Sequence, residues 1–129
     1  MVVAHVYYRL SLDFDKPEER HIYNITSGYA KPDEDTTLKK SWLGKYWKIV
    51  SYESVDAEND ESMEGLFAQY NDDGYGGKKN PLATPAGQAH IRSLGVRHTS
   101  MSVGDIIRFG KNFYIVADHG FKKIAWRGA

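Results

Sequence analysis

The amino-acid sequence predicts an α+β fold, with a mainly antiparallel sheet of about five or six strands, two helices and a C-terminal β-hairpin. Three observations lead to this prediction. Residues 2–10 and 46–55 are rich in β-branched and aromatic side chains, residues 56–70 and 84–95 carry helix start signals, and residues 105–117 contain two β-runs around a glycine. Helices and strands alternate without a regular β-α-β repeat, which favours antiparallel pairing. The 129 residues are expected to form a single domain over residues 1–129.

The first half of the chain predicts three strands. Residues 2–10 form an opening strand, and Pro17 breaks the pattern in the turn that follows. Residues 21–25 alternate over a short window and predict a second strand, followed by a polar, exposed loop over residues 29–40. Residues 46–55 alternate with period two and predict a central strand. One side of that strand is expected to carry Trp47, Ile49, Ser51 and Glu53.

Two segments of the second half predict helices. Asp56 is placed to cap a helix over residues 57–70, because carboxylates fill its first turns and apolar side chains follow at helical spacing. Residues 71–84 predict a long loop with three glycines. Thr84 and Pro85 start a second helix over residues 86–94, which Gly95 ends.

The last 25 residues predict a β-hairpin. Strands at residues 105–109 and 112–117 are joined by a tight turn that contains Gly110. Gly120 starts another turn, into a strand at residues 121–126. The hairpin is therefore expected to follow the second helix after a short connecting segment.

The overall composition excludes several classes of function. Basic and acidic residues number 17 each, so no net charge attracts the chain to nucleic acid or to an anionic membrane. The chain contains no cysteine, which excludes disulfides, thiol nucleophiles and thiolate metal ligands. The first ten residues lack the pattern of a signal peptide, and no apolar run is long enough to cross a membrane. We therefore expect a cytoplasmic protein without a membrane partner.

The charges are nevertheless unevenly distributed along the chain. Residues 53–73 contain eight carboxylates and no basic residue, whereas residues 86–129 contain seven basic residues and two carboxylates. These two segments are expected to form solvated faces that attract each other across the fold. The alternative is a basic strip that binds an anionic partner such as nucleic acid.

The segment from His98 to Ile107 (HTSMSVGDII) is the most distinctive in the sequence. Ser100 and Ser102 can bond neighbouring backbone N–H groups, Gly104 can adopt a positive φ, and Asp105 can hold the turn that enters the following strand. This pattern predicts a structural junction. The functional alternative is an anion-binding nest beside Arg97 and His98.

This segment also resembles a known family. His98, residues 100–107, residues 113–116 and the Gly120-Phe121 pair look like the C-terminal signature of the YodL-like and related large-polyvalent-protein-associated domains. The strand at residues 46–55 and the acidic helix after it are similar to the segments that often precede that signature. Those domains occur in bacteriophages, plasmids and conjugative elements, so the resemblance implies a phage or mobile-element accessory protein. It implies no catalytic residue, because the family has no settled activity.

Few residue patterns indicate catalysis. His98-Thr99-Ser100 matches one half of a two-histidine phosphoesterase site, but none of the other four histidines is followed by the matching hydroxyl. The histidines also lack the spacing of a metal site, so no metal or other cofactor is expected. The glycine-rich segment before Lys78 and Lys79 lacks the flanking strand and helix of a phosphate-binding loop, but it could contact a partner.

The sequence thus predicts a non-enzymatic binding module that acts on a host or viral macromolecule. A protein is the expected partner. One alternative is a nucleic-acid-binding protein that uses the basic C-terminal third and exposed aromatic side chains. Another is a small phosphoesterase or nucleotide enzyme that uses His98. No catalytic residue is assigned, and the predicted binding residues are Arg97, His98, Ser100, Lys78, Lys79 and Arg108.

Overall fold

The computed structural model describes residues 1–71 and 77–128. The α+β class and the mainly antiparallel sheet are confirmed, with two more α-helices than predicted. The strands are β1 Val2–Arg9, β2 Leu38–Lys39, β3 Trp47–Val55, β4 Ile106–Phe109, β5 Asn112–Val116, β6 Phe121–Lys123 and β7 Trp126–Arg127. The α-helices are α1 Pro17–Thr26, α2 Trp42–Tyr46, α3 Asp60–Gln69 and α4 Pro85–Ser93, and a short 3-10 helix spans Pro81–Ala83.

The main sheet has five strands in the order β3-β1-β4-β5-β6, and every neighbouring pair is antiparallel. β2 and β7 form a separate two-stranded parallel ribbon. β1 lies between β3 and β4, and its consecutive residues Val6, Tyr7 and Tyr8 are all buried. A strand segment that is covered on both faces needs such a continuous apolar run.

Two hydrophobic cores lie on opposite faces of the main sheet. The first core packs the sheet against α3, α4 and the segment that leads to β4; the second packs it against α1, β2 and α2. The first core is formed by Ala4, Val6, Tyr8, Val50, Met63, Leu66, Tyr70, Leu82, Ile91, Val96, Met101, Ile107, Phe109 and Val116. The second is formed by Tyr7, Ile22, Leu38, Trp42, Tyr46, Trp47, Ile106 and Phe113.

A β-bulge in β3 changes which side chains share a face. Val6 and Tyr7 of β1 pair with Ser51 and Ile49, so Val50 is an extra residue. Side chains before the bulge pack in the second core, whereas those after it reach α3 on the other face. The predicted strand is confirmed, but its central position is wrong, because β3 lies at one edge of the sheet. Its uninterrupted alternation is also wrong, because the bulge separates Trp47 and Ile49 from Ser51 and Glu53.

The strand predicted at residues 21–25 is wrong, because these residues belong to α1. Pro17 occupies the first turn of this helix, where its missing N–H has no cost, and Glu18 and Glu19 complement the helix dipole. Ile22 and Thr26 are buried at a spacing of four residues. A five-residue window fits both a strand and one helical turn, so the short alternation could not distinguish them.

Two further predictions are wrong in part: residues 121–126 are divided between β6 and β7, which belong to different sheets, and β2 lies in the loop predicted at residues 29–40. The remaining predicted elements are confirmed with shifted ends. Asn59 rather than Asp56 caps α3, since its side chain accepts a hydrogen bond from the Ser62 N–H at 2.8 Å. Thr84 caps α4 as predicted, and Gly95 follows that helix with a φ of +82°. The predicted hairpin is formed by β4 and β5. Part of the loop predicted at residues 71–84 lies outside the described residues, and the 3-10 helix occupies part of the remainder.

No helix in the described ranges combines the length and the apolar character that crossing a membrane requires.

Candidate functional site

An open cavity of 370 Å³ lies where the end of β1, the start of α1 and the segment before β4 meet. We call it the Arg9–His98 cavity. Its volume is near the lower end of the range of about 300 to 1,000 Å³ that is usual for ligand sites. Its walls combine a guanidinium, an imidazole, two serines and two aromatic rings with apolar side chains. The lining residues are Arg9, Leu10, Ser11, Leu12, Phe14, Tyr23, His98, Ser102, Val103 and Asp105.

Asp105 is the central buried residue of this site. One carboxylate oxygen accepts the backbone N–H of Arg9 at 2.8 Å, and the other accepts the backbone N–H of Ser102 at 2.8 Å. The backbone N–H of Asp105 donates in turn to the Ser102 carbonyl at 3.0 Å. Asp105 therefore joins the turn before β4 to the end of β1. The predicted junction role of Asp105 is confirmed.

His98 is held by Asp105 on one side and by an aromatic ring on another. Its Nε2 lies 3.2 Å from a carboxylate oxygen of Asp105, and its ring stacks on Tyr8 with centroids 4.6 Å apart. The Tyr8 hydroxyl donates to the Thr99 carbonyl at 2.8 Å, which fixes the stacking partner. Among the described residues, none forms a hydrogen bond with the other ring nitrogen, Nδ1. The Nε2 edge of the imidazole is therefore oriented by Asp105, and the Nδ1 edge has no protein partner among the described residues.

The electrostatics of the pair are set by burial. Only 2% of the Asp105 side chain is exposed, compared with 34% of the His98 side chain. Burial raises the pKa of Asp105 above its ordinary value, and the hydrogen bonds from His98, Arg9 and Ser102 act in the opposite direction. The imidazole and the two N–H groups are thus what allow a carboxylate to exist at this position.

Arg9 supplies a guanidinium to the same cavity. Its Nη1 donates to the Thr26 hydroxyl, and its Cζ lies 5.6 Å from the centre of the Tyr23 ring. Gly104, with a φ of +97°, lies directly against it: a Cβ at that position would be 2.5 Å from Nη1. Burial lowers the pKa of Arg9, and the neighbouring Asp105 charge opposes this. No carboxylate within the described ranges forms a direct ion pair with Arg9.

Of the six predicted binding residues, only His98 lines this cavity. Arg97 is exposed, and the Ser100 carbonyl accepts a hydrogen bond from the Ser102 hydroxyl at 3.3 Å. Lys78 lines a different cavity, beside the acidic N-terminal end of α3, and its Nζ lies 3.4 Å from the Ser54 carbonyl. Lys79 is exposed and its carbonyl accepts from the side-chain amide of Gln69.

Arg108 lies on the sheet face that carries the second core. Its Nη1 donates to the Tyr7 hydroxyl at 3.1 Å, and its Cζ lies 4.7 Å from the centre of the Phe113 ring. The structure therefore does not gather the predicted residues around one cavity. Each of them remains a prediction as a binding residue.

The described residues of the two charged segments form no direct ion pair with each other. Among the described residues, no ion pair joins residues 53–73 to residues 86–128, and the basic side chain of Arg127 pairs instead with Asp35 at 2.8 Å. Glu58 accepts hydrogen bonds from the uncharged side chains of Asn112 and Tyr114. Lys122 and Lys123 line a further cavity of 460 Å³ on the side of β2. The basic residues of the C-terminal third are therefore distributed over several surfaces.

Sequence reasoning missed Arg9 and Tyr23 as site residues. The signal for Arg9 was a charged residue at the end of a strand that is otherwise almost entirely apolar. Tyr23 was assigned to a strand, and only its position on α1 places it at the cavity. Within residues 1–71 and 77–128, no group of three His, Asp or Glu side chains is arranged to hold a metal ion.

Comparisons with known proteins give one informative match. No family model matches the chain, so the resemblance to the YodL-like domains stays a prediction. No solved structure matches it either. An uncharacterized protein of Acanthamoeba polyphaga mimivirus, R785, is 35% identical over 80 residues, which cover 61% of this chain and 68% of the viral protein. This chain belongs to the same family as that mimivirus protein.

Proposed function

We propose that this protein is a binding module that holds a phosphate group of its ligand in the Arg9–His98 cavity. The observation that carries the proposal is the half-buried guanidinium of Arg9, which lines an open cavity and forms no direct ion pair with the described carboxylates. A partly desolvated cation without a bound anion is costly, and an anionic ligand would offset that cost.

The groups around Arg9 suit a phosphate. The guanidinium is planar and can present two N–H donors to two oxygens of the same anion. In its protonated form His98 can donate from Nδ1, and Ser11, which also lines the cavity, offers a hydroxyl group. The carboxylate of Asp105 does not compete for these donors, because its oxygens already accept two backbone N–H groups and the His98 ring.

The family gives this binding activity a biological setting. The mimivirus relative supports a viral origin of this protein. The resemblance to the YodL-like domains supports an origin in a phage or another mobile element. In that setting, the phosphate belongs to a host or viral molecule in the cytoplasm of the infected cell. The expected action is binding of that molecule rather than its conversion.

Phosphate titration followed by NMR tests the proposal. Inorganic phosphate is expected to shift the backbone amide signals of Arg9, His98 and Ser102. Arg9→Gln and His98→Gln are expected to weaken binding at least about tenfold, since each removes a charged or donor contact that is worth about 1.5 to 3 kcal/mol. The glutamine at position 98 can still donate to Asp105, so the turn before β4 should remain intact.

Arg97→Gln is the matched control, because it removes an exposed arginine next to His98 that does not line the cavity. Its phosphate affinity should equal that of the wild-type protein. Circular dichroism and melting temperature would establish that each variant is folded. The proposal is overturned if phosphate shifts none of the cavity amides, or if the folded Arg9→Gln and His98→Gln variants bind as tightly as wild type.

A second candidate function is hydrolysis of a phosphate ester, and the His98–Asp105 pair is the observation that favours it. A carboxylate that holds one imidazole nitrogen leaves the other free to accept a proton from water, as a general base requires. Turnover of bis(p-nitrophenyl) phosphate by the wild-type protein but not by His98→Gln would support this candidate. An absence of turnover by the wild-type protein at any pH between 5 and 9 would exclude it for this ester.

A further inference from the structure

We infer that the ligand of the Arg9–His98 cavity is a nucleoside phosphate, whose base packs on an aromatic wall formed by Phe14, Tyr23 and Tyr29. This inference rests on the proposed phosphate site and adds the chemistry of the rest of the ligand. The wall has two exposed members: Phe14 is 52% exposed and Tyr29 is 67% exposed.

The three rings of this aromatic wall are in contact. The Phe14 and Tyr23 rings meet edge to face with centroids 4.7 Å apart, and Tyr23 and Tyr29 stack with centroids 5.9 Å apart. Isolated exposed apolar residues are common on protein surfaces, but a continuous group beside a ligand cavity is characteristic of a binding surface. Phe14 and Tyr23 also line the cavity itself.

Tyr23 connects the aromatic wall to the phosphate site. Its ring centre lies 5.6 Å from Cζ of Arg9 and 4.7 Å from the centre of the Phe14 ring. A ligand that reaches both must therefore carry its anionic group and a flat apolar group close together. A nucleotide has this composition, and a base stacked on aromatic side chains contributes binding energy whichever base it is.

The turn that carries Phe14 is held in place by hydrogen bonds. The Lys16 N–H donates to the Asp13 carbonyl at 3.0 Å, and the Asp15 N–H donates to the Asp13 carboxylate at 3.0 Å. The Asp13 N–H donates to Glu19 of α1 at 3.0 Å. Phe14 is therefore presented by an ordered turn, which lowers the entropy cost of packing a base against it.

The volume of the cavity limits the ligand to one nucleotide unit or the end of a strand. At 370 Å³, the cavity cannot accommodate a duplex, whose recognition depends on grooves and on many phosphates. None of the cavity's side chains is an Asn or a Gln, and its one carboxylate is already occupied by hydrogen bonds. We therefore expect little preference among the four bases.

A comparison of four small ligands tests the inference: inorganic phosphate, ribose 5-phosphate, adenosine and adenosine 5′-monophosphate. Adenosine 5′-monophosphate is expected to bind about tenfold or more tightly than ribose 5-phosphate, because stacking of a base is worth about this much. Tyr29→Ala should reduce this gain and leave the affinity for inorganic phosphate unchanged, because Tyr29 belongs to the aromatic wall but does not line the cavity. Tyr29 is 67% exposed, so its replacement should not affect folding.

Tyr52→Ala is the matched control, because Tyr52 is also an exposed aromatic residue, at 61%, but lies on β3 away from the cavity. It should leave all four affinities unchanged. If phosphate binds but ribose 5-phosphate and adenosine 5′-monophosphate have equal affinities, the inference fails and the proposed function stands. If phosphotyrosine binds more tightly than every nucleotide, the ligand is a phosphorylated peptide and the inference is again overturned. If no phosphate compound binds, both proposals fail.

Discussion

Two histidines of this protein, His98 and His5, lie in opposite electrostatic surroundings. His98 stacks on Tyr8 and has the buried carboxylate of Asp105 as its partner. His5 lies in the middle of the sheet, edge to face with Tyr52 at 4.8 Å and opposite Arg108 in the register of β1 and β4. Its buried Nδ1 has no hydrogen-bond partner among the described residues.

The difference shows that the partner, rather than the imidazole itself, decides what each position can do. Burial and the positive charge of Arg108 lower the pKa of His5, so its surroundings favour the neutral form of the ring. His98 instead connects a buried acid to an open cavity that also contains Arg9. Of these two regions, the one around His98 combines a buried acid that holds the imidazole, a cation and space for a ligand.

Of the substitutions that test this difference, replacement of Asp105 should have the largest effect on stability. Asp105→Ala leaves the part-buried N–H groups of Arg9 and Ser102 without this acceptor and releases His98, so we expect a loss of about 3 kcal/mol in the free energy of unfolding. Urea denaturation measures it. Asp105→Asn, which keeps the shape and one acceptor oxygen, should lose less. Wild-type stability in the alanine variant would show that Asp105 does not organise this region.

Gly104→Ala should have the next largest effect. Gly104 has a φ of +97°, and a Cβ would lie 2.5 Å from Nη1 of Arg9. Backbone strain alone costs about 1 to 3 kcal/mol, and the displaced guanidinium should also weaken phosphate binding. Gly110→Ala is the control, since Gly110 has a φ of +57° and open space around it. Equal stability losses and unchanged phosphate binding in both variants would contradict the contact with Arg9.

The stability of the His5 region should depend on pH in a defined direction. Because the pKa of His5 is lowered in the folded state, the unfolded chain binds more protons near the ordinary value of 6.5. The contribution of His5 is therefore complete above that value and decreases as the pH falls through it. Between pH 7.5 and pH 5, the free energy of unfolding should therefore decrease more in the wild-type protein than in the His5→Phe variant. A shift in favour of wild type would contradict this environment.

Replacement of both predicted lysines, Lys78→Ala and Lys79→Ala together, should have the smallest effect. Both side chains are exposed and neither lines the Arg9–His98 cavity. Stability should change by no more than about 0.5 kcal/mol, and phosphate affinity should be unchanged in the NMR titration. A clear loss of phosphate binding would show that the anion site extends to the cavity beside α3 that Lys78 lines.

Much of the fold could be predicted because its signals are local. The apolar run of β1, the turn at Gly110 and the Thr84 cap each depend on a few neighbouring residues. Local signals failed at α1, where a five-residue window fits both the strand and the helix period. They also failed at Val50, where a bulge changes which face of the sheet the following side chains occupy. A bulge arises from pairing with another strand, and the sequence of β3 alone does not reveal it.

The sequence by itself determined the α+β class, the opening strand β1 and the turn in which Gly104 and Asp105 lie. Only the tertiary structure decided the candidate site. Arg9 and His98 are separated by most of the chain, and they line one cavity because Asp105 binds the backbone of β1 and the imidazole together. Burial of a carboxylate requires such partners, and which ones it finds depends on packing rather than on spacing.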